Sequence, residues 1–338
     1  MDGKIFSAFF RWWGRVKALR TGSFLGYAEP VPALRIVFFG LPLAALLLRQ
    51  DGHDILLACL CREDAVGGRR LRRRLGPENV LMKPNAKEAA LRSRVRALKP
   101  DLVVSWFWTQ KLPMKLVNAA RLGGIGVHPS LLPRHRGPDP TFWAIDSGDL
   151  ETGVSVHRIE AEYDTGDVLA QEKLWIDPRW NAWQLARALD RPSLKLLRQV
   201  VMHYSKGEPP KALPQDPALV TQAPFPDDED CVLRFHWSLQ KILRRIRALS
   251  PAPGASTQIG DRVLHILRAE VFRTAQSLRL EPGEVFVAAD GSVVIAAKDG
   301  AFRILECEVD GEPTSLADLS RLVQDEALLC SQRSREDE

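Results

Sequence analysis

Cysteine is scarce in this chain. Its five residues (Cys59, Cys61, Cys231, Cys307, Cys330) among 338 form no CxxC pair. That number cannot build a disulfide scaffold, offers no structural zinc motif, and points to a reducing compartment. Long apolar runs are missing too: the most apolar stretch, Ile36 to Leu48, is too short to cross a bilayer and contains Gly40 and Pro42. No GxGxxG follows the first strand pattern and no P-loop occurs, so a dinucleotide fingerprint and a phosphate-cradling loop are both excluded. Excess charge of one sign is also small. The formal net charge is +5, and +4 of it falls within residues 1–20 (Lys4, Arg11, Arg15, Lys17 and Arg20 against Asp2), so any nucleic-acid surface must be a local patch.

What is present is an ordinary globular composition, 45% hydrophobic and 26% charged, over a length that suits two domains. Residues 1–33 read as a basic N-terminal extension. Ile5, Phe9, Trp12, Trp13 and Val16 recur at helical spacing opposite basic residues, a pattern suited to a membrane surface, a mitochondrial transit peptide or simple packing on the first domain. From Leu34 the pattern becomes strand, turn, helix, strand (Leu34–Phe39, Leu43–Arg49, Ile55–Cys61), a βαβ unit of a parallel sheet. Further strands are expected at Val80–Met82, Leu102–Trp106, Ile125–His128, Gly153–Ile159 and Val168–Trp175. Helices are expected at Ala86–Leu98, Pro113–Ala120 and Trp183–Tyr204. Residues 206–230 hold six prolines and the acidic run Asp227–Asp230, the composition of a linker. A basic helix at Trp237–Leu249 and short strands separated by Asp-Gly corners then predict a small C-terminal β-barrel within residues 231–330.

The segment Gly123 to Gly137 carries the chemistry. A strand ends at His128 and a stiff Pro- and Gly-rich loop follows, so an imidazole stands at the carboxyl end of a strand, where open α/β sheets bind ligands. About thirty residues later the turn Tyr163-Asp164-Thr165-Gly166-Asp167 supplies a carboxylate, and histidine with carboxylate is a general acid–base pair. Plainer readings exist beside these. His128 could be a core histidine and Asp164 a turn residue, Cys59 and Cys61 read as core thiols, and His135 reads as an exposed loop residue.

These motifs resemble a known family. His128-Pro129-Ser130-Leu131-Leu132-Pro133, then Arg136-Gly137, Glu151-Thr152-Gly153-Val154-Ser155 and Asp164-Thr165-Gly166-Asp167 are similar to the 10-formyltetrahydrofolate-dependent formyltransferases, and within them to the methionyl-tRNA formyltransferases. The similarity includes Pro100–Val104 and Gln110 to Pro113, resumes at Ile246–Ala255, and covers about residues 34–320. It implies a Rossmann-like formyltransferase domain at 34–205, a C-terminal OB-like barrel domain, and a cytoplasmic enzyme (or a mitochondrial one, if residues 1–33 are a transit peptide). The implied reaction moves a formyl group from 10-formyltetrahydrofolate to an amine, that of initiator methionyl-tRNA, with no metal. His128 matches the family's histidine, which stabilises the oxyanion and moves a proton, and Asp164 matches its aspartate. Gly126, Pro129, Ser130, Leu131, Leu132, Pro133, Arg136, Gly137, Gln110, Tyr163, Thr165 and Gly166 match positions around the folate and substrate.

The sequence also departs from the pattern. Gly126 stands where the family has an asparagine, removing an amide donor whose loss typically costs about 10²–10³ in rate. Restoring it (Gly126→Asn) is expected to raise the rate by about 10–10³-fold if the glycine's backbone angles suit a side chain, since a residue at positive φ would resist it. Trp106 and Trp108 stand where smaller residues are usual beside the pocket. The segment 64–74 is short but basic, and Arg69, Arg70, Arg72, Arg73 and Arg74, with Arg244, Arg245 and Arg247 in the second domain, are either solvated helix faces or contacts to RNA phosphates. Other acceptors stay open: another small amine, water as in a formyl-folate hydrolase, or none, as in a non-catalytic folate-binding paralogue.

Overall fold

A computed structural model describes residues 32–273 and 280–325. The amphipathic pattern expected of the N-terminal extension lies outside the described residues. The first sheet has seven strands in the order β3-β2-β1-β4-β5-β6-β7. They are β1 (Arg35–Gly40), β2 (Asp54–Leu60), β3 (Val80–Met82), β4 (Leu102–Trp106), β5 (Gly124–His128), β6 (Glu151–Arg158) and β7 (Val168–Trp175). The first five are parallel, as a βαβ pattern dictates. Strands β6 and β7 are antiparallel, and the alternating burial of β7 marks it as an edge strand with one face in water.

Helices cover both faces. Helix α1 (Pro42–Gln50) starts with proline in its first turn, where the missing N–H costs nothing. Helix α2 is Gly68–Leu75, α3 Ala89–Leu98, α4 Met114–Val117, α5 Pro140–Ser147 and α6 Ala182–Ser205. Helix α5 stands where the sequence pattern marks no element, and α4 is shorter than its apolar pattern suggests. Asp139 starts α5, its carboxylate accepting the Phe142 N–H at 3.1 Å. Alternation along each strand sorts the apolar side chains to the two faces. Phe38, Val104, Trp106, Ile125 and Val127 join the core beneath α1 and α6, while Val37, Phe39 and Val103 pack toward α3 and α4. Trp106 therefore belongs to the core rather than to a pocket wall, and its indole N–H donates to Ser193 Oγ of α6 at 3.0 Å. Gly40 ends β1 because a Cβ there would lie 1.9 Å from the Trp106 carbonyl oxygen, and its φ is +137°.

The second domain begins after a short helix, α7 (Asp228–Cys231), with α8 (Leu239–Ala248), whose first turn is capped by Ser238. Its antiparallel sheet runs β10-β11-β12-β9-β8, with β13 on β12. The strands are β8 (Ala255–Ile259), β9 (Arg262–Phe272), β10 (Val285–Val287), β11 (Val293–Ala297), β12 (Gly300–Val309) and β13 (Glu312–Thr314). Register shifts between β9 and β12 give the irregularity that lets such a sheet curl. Helix α8 docks on α5, and apolar residues of both domains form one continuous core.

Residues 206–230 are no free spacer, despite their composition. They run along the first domain, where Leu213 pairs with Val168 and Gln222 with Arg136.

Candidate active site

Strand β5 delivers His128 to its carboxyl end, and the turn after β6 brings Asp164 to meet it. His128 Nδ1 lies 3.4 Å from Asp164 Oδ2. The other ring nitrogen, Nε2, lies 2.7 Å from the His135 carbonyl oxygen. Asp164 adopts φ +55°, a left-handed conformation that aspartate tolerates better than most side chains. Its Oδ2 also accepts the Gly137 N–H at 3.0 Å. A third residue, unmarked in the sequence reading, completes the group. His157 Nε2 lies 3.4 Å from Asp164 Oδ1, and its Nδ1 lies 2.8 Å from the Arg158 carbonyl oxygen. Both imidazoles are buried, each 5% exposed. One carboxylate thus lies between two rings.

The electrostatics follow from burial and contacts. Burial alone would raise the Asp164 pKa, but the His128 charge, the His157 contact and the Gly137 N–H together hold the carboxyl well below its ordinary range. Burial pushes the His128 pKa down, against the pull of Asp164 and the His135 carbonyl. The site therefore holds a firm carboxylate beside an imidazole that gives up its proton readily, which suits a proton relay.

The loop between them is braced from inside. Ser130 Oγ donates to the Arg134 carbonyl at 2.6 Å, and Ser155 Oγ donates to the Ser130 carbonyl at 2.7 Å. Leu132 N–H donates to Ser155 Oγ, and the Gln171 amide donates to the Leu132 carbonyl. Ser130 and Leu132 are buried, and these bonds hold the loop's shape. Pro129 and Pro133 are half-buried, and Leu131 packs over Gly153. Leu131 also lines an open cleft of about 360 Å³ with Arg134, His135 and Asp149, apart from the His128–Asp164 pair.

His135 corrects the sequence reading, which placed it exposed in a loop. It is buried, with Nε2 2.8 Å from Asp149 Oδ2, and Arg134 grips the same carboxylate. The proline-rich segment supplies another unforeseen brace. The Gln215 amide donates to the Asp164 and Gly166 carbonyls at 2.8 and 2.7 Å, while its oxygen accepts from Arg136 at 2.7 Å. Arg136 is thereby committed to the loop. Gly166 is buried against the Arg158 carbonyl, and Thr165 Oγ1 donates to the Glu162 carbonyl at 3.3 Å. Tyr163 is 50% exposed and lies under Lys111, which pairs with Glu162 at 3.0 Å, so the segment before α4 and the turn after β6 form one rim. Gln110 is exposed on that rim, and Trp108 packs edge-on against Phe39.

The two arginine groups separate. Arg69, Arg70, Arg72, Arg73 and Arg74 are all exposed on α2, around the single buried residue Leu71. Arg245 is buried, its guanidinium bonded to both carboxylate oxygens of Asp146 at 2.7 and 3.0 Å, so it serves the domain junction and offers no surface to RNA. Arg244 is half-buried, with Nε donating to the Asp146 carbonyl at 3.2 Å, and Arg247 is half-buried as well. The alternation of apolar residues in α8 marked one face as core, but only the packing shows that Asp146 waits on it.

An open α/β sheet with a histidine–carboxylate pair at a strand's carboxyl end defines a small-molecule acid–base site. Comparison with known proteins is more specific. Residues 36–201 match the formyl transferase family, and residues 227–320 match the formyl transferase C-terminal domain. The methionyl-tRNA formyltransferase of Syntrophus aciditrophicus is 33% identical over 280 residues, covering 79% of this chain and 88% of the relative. That of Sorangium cellulosum is 31% identical, covering 85% and 96%. The chain belongs to the formyl transferase family. Among solved structures, HypX from Aquifex aeolicus in complex with tetrahydrofolic acid aligns with a TM-score of 0.59 at 21% identity, covering 81% of this chain and 44% of that one. The N-formyltransferase from Helicobacter canadensis, solved with folinic acid and dTDP-3-aminofucose, gives 0.60 at 14% identity, covering 80% and 98%. These two likenesses concern the fold. Among the described residues, no helix is long and apolar enough to cross a membrane.

Proposed function

We propose that this protein transfers a formyl group from 10-formyltetrahydrofolate to the amino group of methionyl-tRNA, as a cytoplasmic enzyme of translation initiation. The observation that carries the reading is the His128–Asp164 pair, 3.4 Å apart at the carboxyl end of β5. The folate would supply the one-carbon unit in activated form. The rim formed by Lys111, Glu162 and Tyr163 beside this pair suits a flat, partly polar donor, with Gln110, Pro129, Pro133 and Thr165 near it.

In this reading His128 takes the proton lost by the attacking amine and returns it to the departing folate nitrogen. A lowered pKa fits that task, because the ring must be neutral to accept the proton. Asp164 stays ionised and steadies the ring in its charged form. The Gly137 N–H and the Gln215 amide keep Asp164 where the proton passes. No metal takes part in this scheme.

The tRNA would be held by charge. Helix α2 offers five exposed arginines in six positions, with no ion pair to any of them among the described residues, and this suits phosphates better than a small acceptor. The test is tetrahydrofolate release from 10-formyltetrahydrofolate by purified protein, with and without methionyl-tRNA. Release that depends on the tRNA supports the reading. Release with a small amine or water alone would replace the acceptor, and folate binding without release would leave a non-catalytic paralogue.

A further inference from the structure

The resemblance to the family leaves a gap at Gly126, where an asparagine amide should face the formyl oxygen. The tertiary structure puts another side chain there. Strands β5 and β6 pair antiparallel with Gly126 directly opposite His157, so both residues project from the same face of the sheet. A Cβ built on Gly126 would lie 2.8 Å from His157 Nε2 and 3.1 Å from Cε1. The imidazole therefore occupies the space that a side chain at 126 would enter. The backbone of Gly126 lies outside the left-handed region, so it is the ring, rather than strain, that excludes a side chain.

We propose that His157 is a catalytic residue that takes over the missing amide's task, presenting Nε2–H to the formyl oxygen as negative charge develops on it. The inference rests on the formyl-transfer reading above. The hydrogen bonds around the ring support it. A carbonyl oxygen can only accept, so the contact with the Arg158 carbonyl places a proton on Nδ1. Nε2 then donates when the ring carries both protons, with the Asp164 carboxylate 3.4 Å away as its counter-charge. A donor of this kind is charge-assisted and stronger than a neutral amide.

The step balances without any further reactant. The amine nitrogen bonds to the formyl carbon, and the carbonyl π pair moves onto oxygen, where Nε2–H of His157 stabilises it. His128 holds the amine's proton. The pair then returns, the bond from carbon to the folate nitrogen breaks, and that nitrogen leaves with the proton from His128.

The charged or titratable groups around His157 are Asp164 from the turn, His128 from β5 and Arg158 on its own strand. Three variants of the full chain test the proposal: His157→Ala, His157→Gln, and the exchange Gly126→Asn with His157→Ala. Folding is checked by circular dichroism, and tetrahydrofolate binding by calorimetry. His157→Ala should lower kcat by about 10²–10³ while folate affinity stays within about threefold. The exchange should recover about tenfold or more, and His157→Gln should fall between them. The proposal is overturned if His157→Ala keeps kcat within about threefold of an active wild type, or if the exchange folds, binds folate and recovers nothing. A wild type that transfers formyl to no acceptor would overturn the broader reading, and this one with it.

Discussion

Helices α2 and α8 are both arginine-rich, yet their arginines do opposite work. On α2 five guanidiniums surround one buried leucine and point into water. On α8 one face is buried in the core, and Arg245 lies on it at 5% exposure, bonded to Asp146 and stacked over Phe142 and Trp237. Lys241 adds a 2.6 Å contact to the same carboxylate. One helix offers free charge to a partner. The other spends its charge holding two domains together. Arginine count thus says little about nucleic-acid binding until the neighbouring carboxylates are known.

The contrast can be broken at its buried end first. Asp146→Ala leaves Arg245 a buried cation with only its longer 3.4 Å contact to Asp230, and should cost about 3–5 kcal/mol in denaturant unfolding. Replacing Arg69, Arg70 and Arg73 together by alanine should shift the same measurement by less than about 0.5 kcal/mol per site. A loss under about 1 kcal/mol for Asp146→Ala would mean that the clamp is no stronger than a surface pair.

The second difference lies in tRNA affinity. Each lost phosphate contact should flatten the dependence of log Kd on log salt by about 0.7–0.9, so the α2 triple variant should lose about 2 or more from the slope. Arg244→Ala, at the junction, should leave it unchanged. Equal slopes for the two variants would mean that the two helices do not differ in RNA contact.

Acid should separate the helices a third way. Burial disfavours the Asp146 charge, but hydrogen bonds from Arg245 and Lys241 outweigh it and hold its carboxyl below the ordinary range. A carboxyl depressed on folding contributes stability that is complete above its unfolded value, about 3.9, and that fades as pH falls through the folded value. Unfolding followed between about pH 5 and pH 2 should therefore show a loss that Asp146→Asn reduces and that the α2 variants leave intact. The smallest effect belongs to Arg247, whose Nε is buried without a hydrogen-bond partner and whose pKa burial pushes down, with Arg244 adding repulsion. Arg247→Met should be neutral or stabilising by up to about 1 kcal/mol in thermal melts.

Much of this architecture was legible in the chain. Runs such as Leu102–Trp106 and Val80–Met82 are apolar and branched enough to specify strands without help, and both lie where the pattern places them. His128 was legible because proline and glycine around it mark a loop at a strand end. His157 was not, since a histidine on a buried strand looks like any other core residue until its opposite number is known. Gln215 was hidden for a similar reason. Its setting among prolines reads as linker, and only the path of the chain past Asp164 makes it a brace.

The sequence by itself determined the order of the elements, the motifs of the formyl transferase family and the absence of a side chain at position 126. These depend on local spacing, which a chain carries with it. The tertiary structure decided what stands beside that glycine and which arginines are free. His157 reaches Gly126 through strand pairing, and Arg245 reaches Asp146 across 99 residues of chain. Such contacts depend on how separate elements pack, and the free energy of a charge is set by the groups that packing brings around it.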